Sequence, residues 1–275
     1  MDRSDLAIRM KEFYENIPKT KLMRRTPVAI RIDGKAFHTF TKGFQKPFDK
    51  VLMKSMQETT KYLCENIQGC VFGYTQSDEI TLILIDYQTF DTCAWFDYEV
   101  QKLCSISASM ATMTFNKIFA SNVHEFCLDK KYPNPRCVKY ENIMNTYSNA
   151  IKKGAMFDAK CFNIPKEEVT NLIYWRQLDA TRNSIQMVGQ ANFSHKELQN
   201  KTCNDIQDML FKEKNINWNN FPIDCKRGSA VIYSEYQNPN SSNTKGKGWI
   251  IDTEMPILRG KDREYVDKLI YIGEQ

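Results

Sequence analysis

Two groups of carboxylates stand at points where predicted β-strands end. Asp33 directly follows the apolar run 28–32, and Asp78 and Glu79 stand in the polar spacer of a predicted β-hairpin. Carboxylates that converge repel one another, and hard oxygen ligands favour Mg²⁺, which commonly joins one or two carboxylates to substrate phosphates. Two such ions about 4 Å apart can activate an attacking oxygen and stabilise a leaving pyrophosphate. The pattern raises the hypothesis of magnesium-dependent nucleotidyl transfer, although each group alone also fits an ordinary solvated turn.

The elements of the first 165 residues predict how these carboxylates would be brought together. In chain order they are a short helix capped by Ser4, strand 28–32, helix 48–63, strands 71–74 and 80–85, a helix from Trp95 to about Phe119, a loop around 130–139 and strand 155–163. After the first helix, this is the β-α-β-β-α-β order of a ferredoxin-like unit, an antiparallel sheet with two helices on one face. In that topology the end of the first strand lies beside the hairpin, so both acidic groups meet at one sheet edge.

The residues beyond Pro165 follow a different pattern. Two helices are predicted, 167–191 and 195–214 with Ser194 as N-cap, then a loop over 215–227 and a strand pair, 230–233 and 248–252, across a polar turn at 238–247. No linker separates this part from the rest. We therefore predict an α+β fold in one compact body, with a catalytic domain in residues 1–165 and a mainly helical C-terminal portion, residues 166–275, packed on it.

The composition excludes several classes of protein. The 275 residues are 42% hydrophobic and 26% charged, a mixture typical of a soluble globular protein. No apolar run is long enough to span a membrane, and the charged N-terminus does not fit a signal peptide, so we expect a cytoplasmic protein. The nine cysteines are widely spread and the three histidines isolated, which favours reduced core thiols over disulfides or a zinc site. The net charge of +5 permits a phosphate-rich partner without requiring one.

Several motifs in this sequence resemble those of the tRNA-His guanylyltransferase family. The most specific are the blocks 31–40 (RIDGKAFHTF), 46–49 (KPFD) and 73–79 (GYTQSDE). The resemblance continues through the Ser-rich helix at 105–116, the block 157–160 (FDAK) and the block 174–179 (YWRQLD), with weaker similarity at 218–220 and 226–228. Because the order and spacing of the motifs agree as well as their residue types, the sequence is identified as a member of this family.

The resemblance implies an unusual polymerase. Members of the family add nucleotides in the 3′→5′ direction to the 5′ end of an RNA, with a palm-like domain related to that of ordinary polymerases. The resemblance makes Asp33, Asp78 and Glu79 the catalytic carboxylates. Two Mg²⁺ ions would be held by Asp33, the backbone carbonyl of Gly34 and Asp78, while Glu79 supports the site.

The resemblance also implies residues that bind the nucleotide. These are Lys46 for the phosphates, Gln76 and Ser77, which complete the acidic motif, and His38 close to the active site. Enzymes that add guanylate to tRNA-His carry His-Ile-Asn-Asn after the Trp-Arg-Gln block, whereas this sequence has TRNS at 181–184. It keeps only Asn183, the fifth residue expected to bind the nucleotide. The departure favours the guanylyltransferase-like branch of the family, whose members repair truncated tRNA 5′ ends by template-dependent addition.

Three functions are open from the sequence. They are templated repair of tRNA 5′ ends, addition of guanylate at position −1 of tRNA-His alone, and a non-catalytic palm protein that binds RNA or nucleotides. A nucleotidyl cyclase would share the carboxylates but not the other motifs. For the two tRNA enzymes, the expected partners are tRNA, ATP and GTP, with no DNA and no membrane, and the family implies a homotetramer.

Basic side chains are the candidate contacts to RNA phosphates. The candidates are Arg24, Arg25, Lys152, Lys153 and Arg182. Further basic clusters are Lys130, Lys131, Arg136 and Lys139, and Lys245 and Lys247 with Arg259, Lys261 and Arg263. Each cluster taken alone also fits a solvated surface.

Overall fold

A six-stranded antiparallel sheet forms the centre of the computed structural model, which describes residues 4–128, 138–237 and 245–272. Its strands are β1 (Val28–Gly34), β2 (Cys70–Gln76), β3 (Glu79–Leu84), β4 (Phe157–Asn163), β5 (Ser229–Gln237) and β6 (Lys245–Asp252). They lie in the order β4-β1-β3-β2-β5-β6, and every neighbouring pair is antiparallel. The C-terminal strands β5 and β6 thus extend the sheet of the N-terminal part through β2.

The α-helices of the described residues lie on both faces of this sheet. They are α1 (Asp5–Met10), α2 (Phe37–Phe40), α3 (Lys50–Asn66), α4 (Val100–Leu128), α5 (Val138–Lys153), α6 (Lys166–Asn192), α7 (His195–Leu198), α8 (Cys203–Lys214), α9 (Ile223–Arg227) and α10 (Glu264–Ile270). The order β1-α3-β2-β3-α4-β4 confirms the ferredoxin-like prediction and the α+β class. No helix of the described residues combines the length and the apolar character that crossing a membrane would need.

Alternate residues of β1 face opposite sides of the sheet. Ile30 and Ile32 are fully buried in the core that α3 and α4 form on one side. Ala29 belongs to the second core, which α6 and α10 form on the other side. Because side chains alternate along a strand, Arg31 and Asp33 fall on the α6 side with Ala29.

A buried aspartate fixes the loop between β1 and α3. Asp49 caps α3, and its carboxylate accepts hydrogen bonds from the backbone N–H groups of Leu52 and Gln45, both at 2.9 Å. The Tyr147 hydroxyl of α5 donates to the same carboxylate at 2.8 Å. These contacts hold the loop that carries Lys46 against the end of the sheet.

Two predicted helices have different bounds in the structure. The helix predicted from Trp95 begins only at Val100, because Phe96 and Asp97 adopt left-handed backbone angles (φ of 50° and 52°) within a preceding 3₁₀ turn, and it continues to Leu128. The single helix predicted over 195–214 is wrong: α7 ends at Leu198 and α8 begins at Cys203. The reason is a second capping box, in which Thr202 and Asp205 start a new helix.

Other corrections concern segments predicted as irregular. The loop predicted around 130–139 lies mostly outside the described residues, but its last two residues already belong to α5, which begins at Val138. Residues 238–244 of the predicted polar turn also lie outside the described residues. Residues 215–227, predicted as a loop, contain a 3₁₀ turn and α9, and α10 was not predicted. Two cysteines taken as core residues, Cys93 and Cys127, are exposed, whereas Cys64 and Cys70 are buried.

Candidate active site

The two acidic groups meet at one end of the sheet, as the predicted topology requires. The β1–β3 register places Asp33 directly across from Glu79. The backbone N–H of Gly34 donates to the carbonyl of Asp78 at 3.1 Å. Asp33 is exposed and Asp78 half-buried, so both carboxylates are within reach of a bound ion or substrate. Their roles as metal ligands stay a prediction.

The hairpin turn orients Asp78. Ser77 has a positive φ of 52°, which turns the chain between β2 and β3 within two residues. Its hydroxyl donates to Asp78 Oδ1 at 2.9 Å. At the base of the turn, the Thr75 hydroxyl donates to the carbonyl of Glu79 at 2.9 Å. The carboxylate of Asp78 is therefore held by its own turn.

The electrostatics of the site favour a cation. Burial raises the pKa of Asp78, and the charge of Asp33 adds to the effect. Asp33 is only partly desolvated at the sheet edge, but this still raises its pKa, with further contributions from Glu79 and from Asp158, its cross-strand neighbour on β4. A divalent ion would offset this repulsion. Within the described ranges no three His, Cys, Asp or Glu side chains converge on one point.

Glu79 is occupied by two arginines. Its Oε1 lies 2.7 Å from Arg31 Nη2 and 2.7 Å from Arg176 Nε, and its Oε2 accepts a hydrogen bond from Arg176 Nη2 at 2.8 Å. Glu79 is buried, so it is not the solvated residue that a hairpin tip would suggest. Its place fits support of the site better than metal ligation. The contact of Arg176 with Glu79 was not predicted. Arg31 could have been noticed, because it is a charged residue within an otherwise apolar strand.

A glycine is required after Asp33 because the ring of Phe37 lies too close to the backbone for any side chain. A Cβ atom at Gly34 would lie 2.2 Å from the ring of Phe37. That ring is buried and packs against Phe40, Phe115 and Phe157 at centroid distances of 5.1, 5.7 and 5.1 Å. Because the aromatic cluster cannot yield without disturbing the core, Gly34 lets the chain turn tightly beside the carboxylates.

A cavity of about 480 Å³ adjoins the carboxylates and is lined by Gly34, His38, Lys46, Ser77 and Asp78, among others. Its size lies within the range of sites that bind small ligands. The side chains of His38 and Lys46 are exposed and can contact a ligand there.

A smaller pocket of about 90 Å³ shares Ser77 with this cavity and is lined by Gln76 and Asn183. The five predicted nucleotide-binding residues thus line two adjoining pockets that share Ser77. Whether they bind a nucleotide stays a prediction.

The candidate RNA contacts are divided between the two ends of the sheet. Arg24 Nε lies 2.5 Å from the buried Asp86, and the backbone N–H of Arg25 donates to Asp86 at 2.8 Å. They lie before the start of β1, roughly 20 Å from Asp33 for a strand of this length. Lys152 and Lys153, by contrast, lie at the active-site end of the sheet, because they end α5 just before β4, which starts beside Gly34. Arg182 lies on α6 in an ion pair with Asp179. Of the basic cluster formed by Lys130, Lys131, Arg136 and Lys139, the described residues include only the backbone of Lys139.

The two weaker motifs near the C-terminus contact each other. Lys226 is buried, and its Nζ donates to the carbonyl of Asn219 at 2.6 Å. Trp218 Nε1 donates to the Ser184 hydroxyl of α6 at 3.1 Å. Burial lowers the pKa of Lys226. These residues hold α9 against α6, and Asp224 and Cys225 of α9 line the smaller pocket.

Comparisons with known proteins identify the family to which this chain belongs. Residues 7–165 match the family described as tRNAHis guanylyltransferase (Thg1). A probable tRNA(His) guanylyltransferase of Dictyostelium discoideum is 26% identical over 264 residues, which cover 90% of this chain and 92% of the relative. A bacterial tRNA(His) guanylyltransferase (Thg1)-like protein solved in complex with ATP is 41% identical with a TM-score of 0.79, over 98% of this chain and 100% of that chain. Another such structure, in complex with GTP, is 38% identical with a TM-score of 0.75 at the same coverage.

The family match covers more than half of the chain and contains β1, the β2–β3 hairpin and β4, which together carry the carboxylates. It therefore includes every strand that positions the site. The protein belongs to the tRNAHis guanylyltransferase family and is a nucleotidyltransferase.

Proposed function

We propose that the protein extends truncated tRNA 5′ ends by template-dependent addition of nucleotides in the 3′→5′ direction. The observation that carries the proposal is the state of residues 181–184, where tRNA-His-specific enzymes have His-Ile-Asn-Asn. Thr181 donates to the carbonyl of Gln177 at 2.9 Å, and Ser184 donates to the carbonyl of Thr181 at 2.9 Å. Arg182 is paired with Asp179, to which Asn183 also donates, at 3.3 Å. Each of these four side chains makes a contact within α6, and none of them is the histidine of the tRNA-His-specific enzymes, so we infer that base pairing with the opposite strand selects the nucleotide.

The nucleotide partners we propose are ATP and GTP for activation of the 5′ end. Similar bacterial proteins were solved in complex with each of these nucleotides. In the present chain the cavity beside Asp78 has the size for a nucleotide, and Lys46 supplies a point charge for its phosphates.

The chemistry follows from this arrangement. Two Mg²⁺ ions held by Asp33, Asp78 and the carbonyl of Gly34 would supply Lewis-acid activation and neutralise phosphate charge. The 3′ hydroxyl of the incoming nucleotide attacks the activated 5′ phosphorus of the RNA and releases its proton to solvent. The new P–O bond forms as the P–O bond to the activating group breaks, and that group leaves with the electron pair. Glu79, fixed by Arg31 and Arg176, keeps the hairpin in register with β1.

A 5′-extension assay tests the proposal. The substrates are several tRNAs lacking the 5′-terminal nucleotide, each prepared with all four bases at the opposing template position. We expect incorporation to follow the template base in every tRNA, with at least a tenfold preference for the complementary nucleotide. Addition of guanylate to tRNA-His alone, regardless of the opposing base, would support the tRNA-His-specific alternative. RNA binding without incorporation would support the non-catalytic one.

We also propose that the N-terminal segment joins copies of the chain into a homotetramer. No residue of α1 or of the π-helical turn Lys11–Glu15 that follows is buried. The large apolar side chains of this segment are 39% to 74% exposed: Leu6, Ile8, Met10, Phe13, Tyr14 and Ile17. A short segment with this many exposed apolar side chains is typical of a protein interface.

Replacing Phe13 by Glu is expected to lower the assembly state. A charge in an apolar interface loses its hydration without gaining a partner. Light scattering coupled to size exclusion should show the mass falling from a tetramer to a dimer or monomer. Phe90→Glu, at a side chain that is 88% exposed elsewhere on the surface, is the matched control and should not change the mass. Equal masses for both variants and the wild type would contradict the proposal.

A further inference from the structure

Trp175 is a large aromatic side chain that faces solvent beside the active site. It lies on α6 and is 52% exposed, so burial does not explain its presence. Two guanidinium groups pack on its ring, Arg31 Cζ at 5.3 Å from the centroid and Arg176 Cζ at 4.5 Å. Cation–π contacts of this kind hold the indole in one orientation.

The two arginines are themselves fixed. Both bind Glu79, at 2.7 Å from Arg31 Nη2 and 2.7 Å from Arg176 Nε. Arg176 Nη2 also donates to Asp179 at 2.6 Å. Trp175 is therefore attached through rigid, largely buried contacts to the residue that follows Asp78. Because little side-chain freedom is left to lose, a ligand that stacks on the ring meets a preorganised surface.

The sheet next to Trp175 is open and carries one exposed lysine beside two exposed carboxylates. On the α6 side, Arg31 of β1 lies across from Lys160 of β4, and Asp33 lies across from Asp158. Asp33, Asp158 and Lys160 are all exposed, so no described residue covers this part of the β1–β4 face. A surface with an exposed aromatic ring and an exposed lysine matches a nucleotide, which has a flat base and a charged phosphate.

We propose that Trp175 is the stacking platform for the base of the 5′-terminal nucleotide of the RNA, and that Lys160 contacts the backbone phosphate beside it. Two residues along β1 separate Arg31, on which the indole packs, from Asp33, a rise of about 7 Å. This distance lets a base rest on the ring while its 5′ phosphorus lies at the carboxylates. The proposal rests on the proposed function, because it supplies the position of the RNA end that is extended.

Equilibrium binding of RNA tests the platform. The probe is a 3′-labelled tRNA lacking one 5′ nucleotide, titrated with the full chain without NTP. Trp175→Ala and Trp175→Leu should weaken binding roughly 10- to 100-fold, whereas Trp175→Phe, which keeps a π-face, should stay within about 3-fold of wild type. Phe211→Ala, at a similarly exposed aromatic residue of α8, is the matched control and should have no effect. Wild-type affinity in Trp175→Leu would overturn the proposal.

An abasic RNA separates stacking from an indirect effect on the arginines. Removing the 5′-terminal base should weaken binding to wild type by the same factor as Trp175→Ala, and the two changes together should cost no more than either alone. If Trp175→Ala weakens both RNAs equally, or is coupled instead to an internal base, the assignment is wrong. Extension by the wild type reports separately on the proposed function: extension without the coupling overturns the platform alone, and coupling without extension overturns the proposed function alone.

Discussion

Asp33→Asn and Asp78→Asn are each expected to lower nucleotide incorporation at least about 10³-fold. Each change removes a charged oxygen ligand while keeping the shape of the side chain. Stabilisation of transition-state charge by a metal ion contributes several kcal/mol, and each 1.4 kcal/mol corresponds to about tenfold in rate. The measurement is single-turnover incorporation into 5′-truncated tRNA at saturating Mg²⁺. Asp208→Asn, at an exposed carboxylate of α8, is the matched control and should retain the wild-type rate.

The thermal stability of these two variants should be maintained or increased, whereas their incorporation rate falls. The pKa values of Asp33 and Asp78 are raised in the fold, mainly by burial, so the folded state favours their protonated forms. Their contribution to stability is therefore greatest at low pH and is lost as the pH rises through the folded pKa values. At neutral pH without metal, both Asn variants should melt at or above the wild-type temperature. Mg²⁺ should raise the melting temperature of the wild type more than that of either variant. Incorporation at the wild-type rate by Asp33→Asn or Asp78→Asn would mean that the substituted aspartate is not part of the catalytic site.

The convergence of the carboxylates was predictable because topology alone requires it. Once the β-α-β-β-α-β order is read from the sequence, β1 must lie beside the β2–β3 hairpin, and Asp33 and Asp78 end at the same edge. The period of two along β1 then places Asp33 on the face opposite Ile32. The convergence does not depend on side-chain detail, and the register of β1 against β3 confirms it.

The partners of Glu79 could not be predicted in the same way. Arg176 lies 97 residues further along the chain and reaches Glu79 only because α6 crosses the sheet at one particular height. Helix periodicity indicates that one side of α6 is buried, but not which strand residue each side chain meets. The exposure of Trp175 could not be predicted for the same reason, because it depends on how α6 lies over the sheet. Local signals also failed where two caps compete, as at Thr202, where a new helix starts within a region of continuous helical pattern.

Arg176→Ala is expected to lower the free energy of unfolding by about 3 kcal/mol. Arg176 and Glu79 are both buried, and removing one partner of a buried ion pair leaves the other charge without its main compensation. Arg31 keeps one contact to Glu79 at 2.7 Å, which is why the loss should lie at the lower end of the range for such pairs. Urea denaturation of the metal-free protein measures the change.

Arg182→Ala provides the comparison on the same helix. Arg182 pairs with Asp179, which Arg176 also contacts, but its side chain is 61% exposed, so its loss should cost less than about 1 kcal/mol. Arg176→Lys keeps the charge but cannot reproduce the two-pronged contact, and its stability should fall between those of the wild type and Arg176→Ala. Equal stabilities for Arg176→Ala and Arg182→Ala would mean that Glu79 is held by Arg31 alone. Because Glu79 directly follows Asp78, a true loss of the pair should also slow incorporation at temperatures where the variant is fully folded, which connects the buried ion pair to the chemistry at the sheet edge.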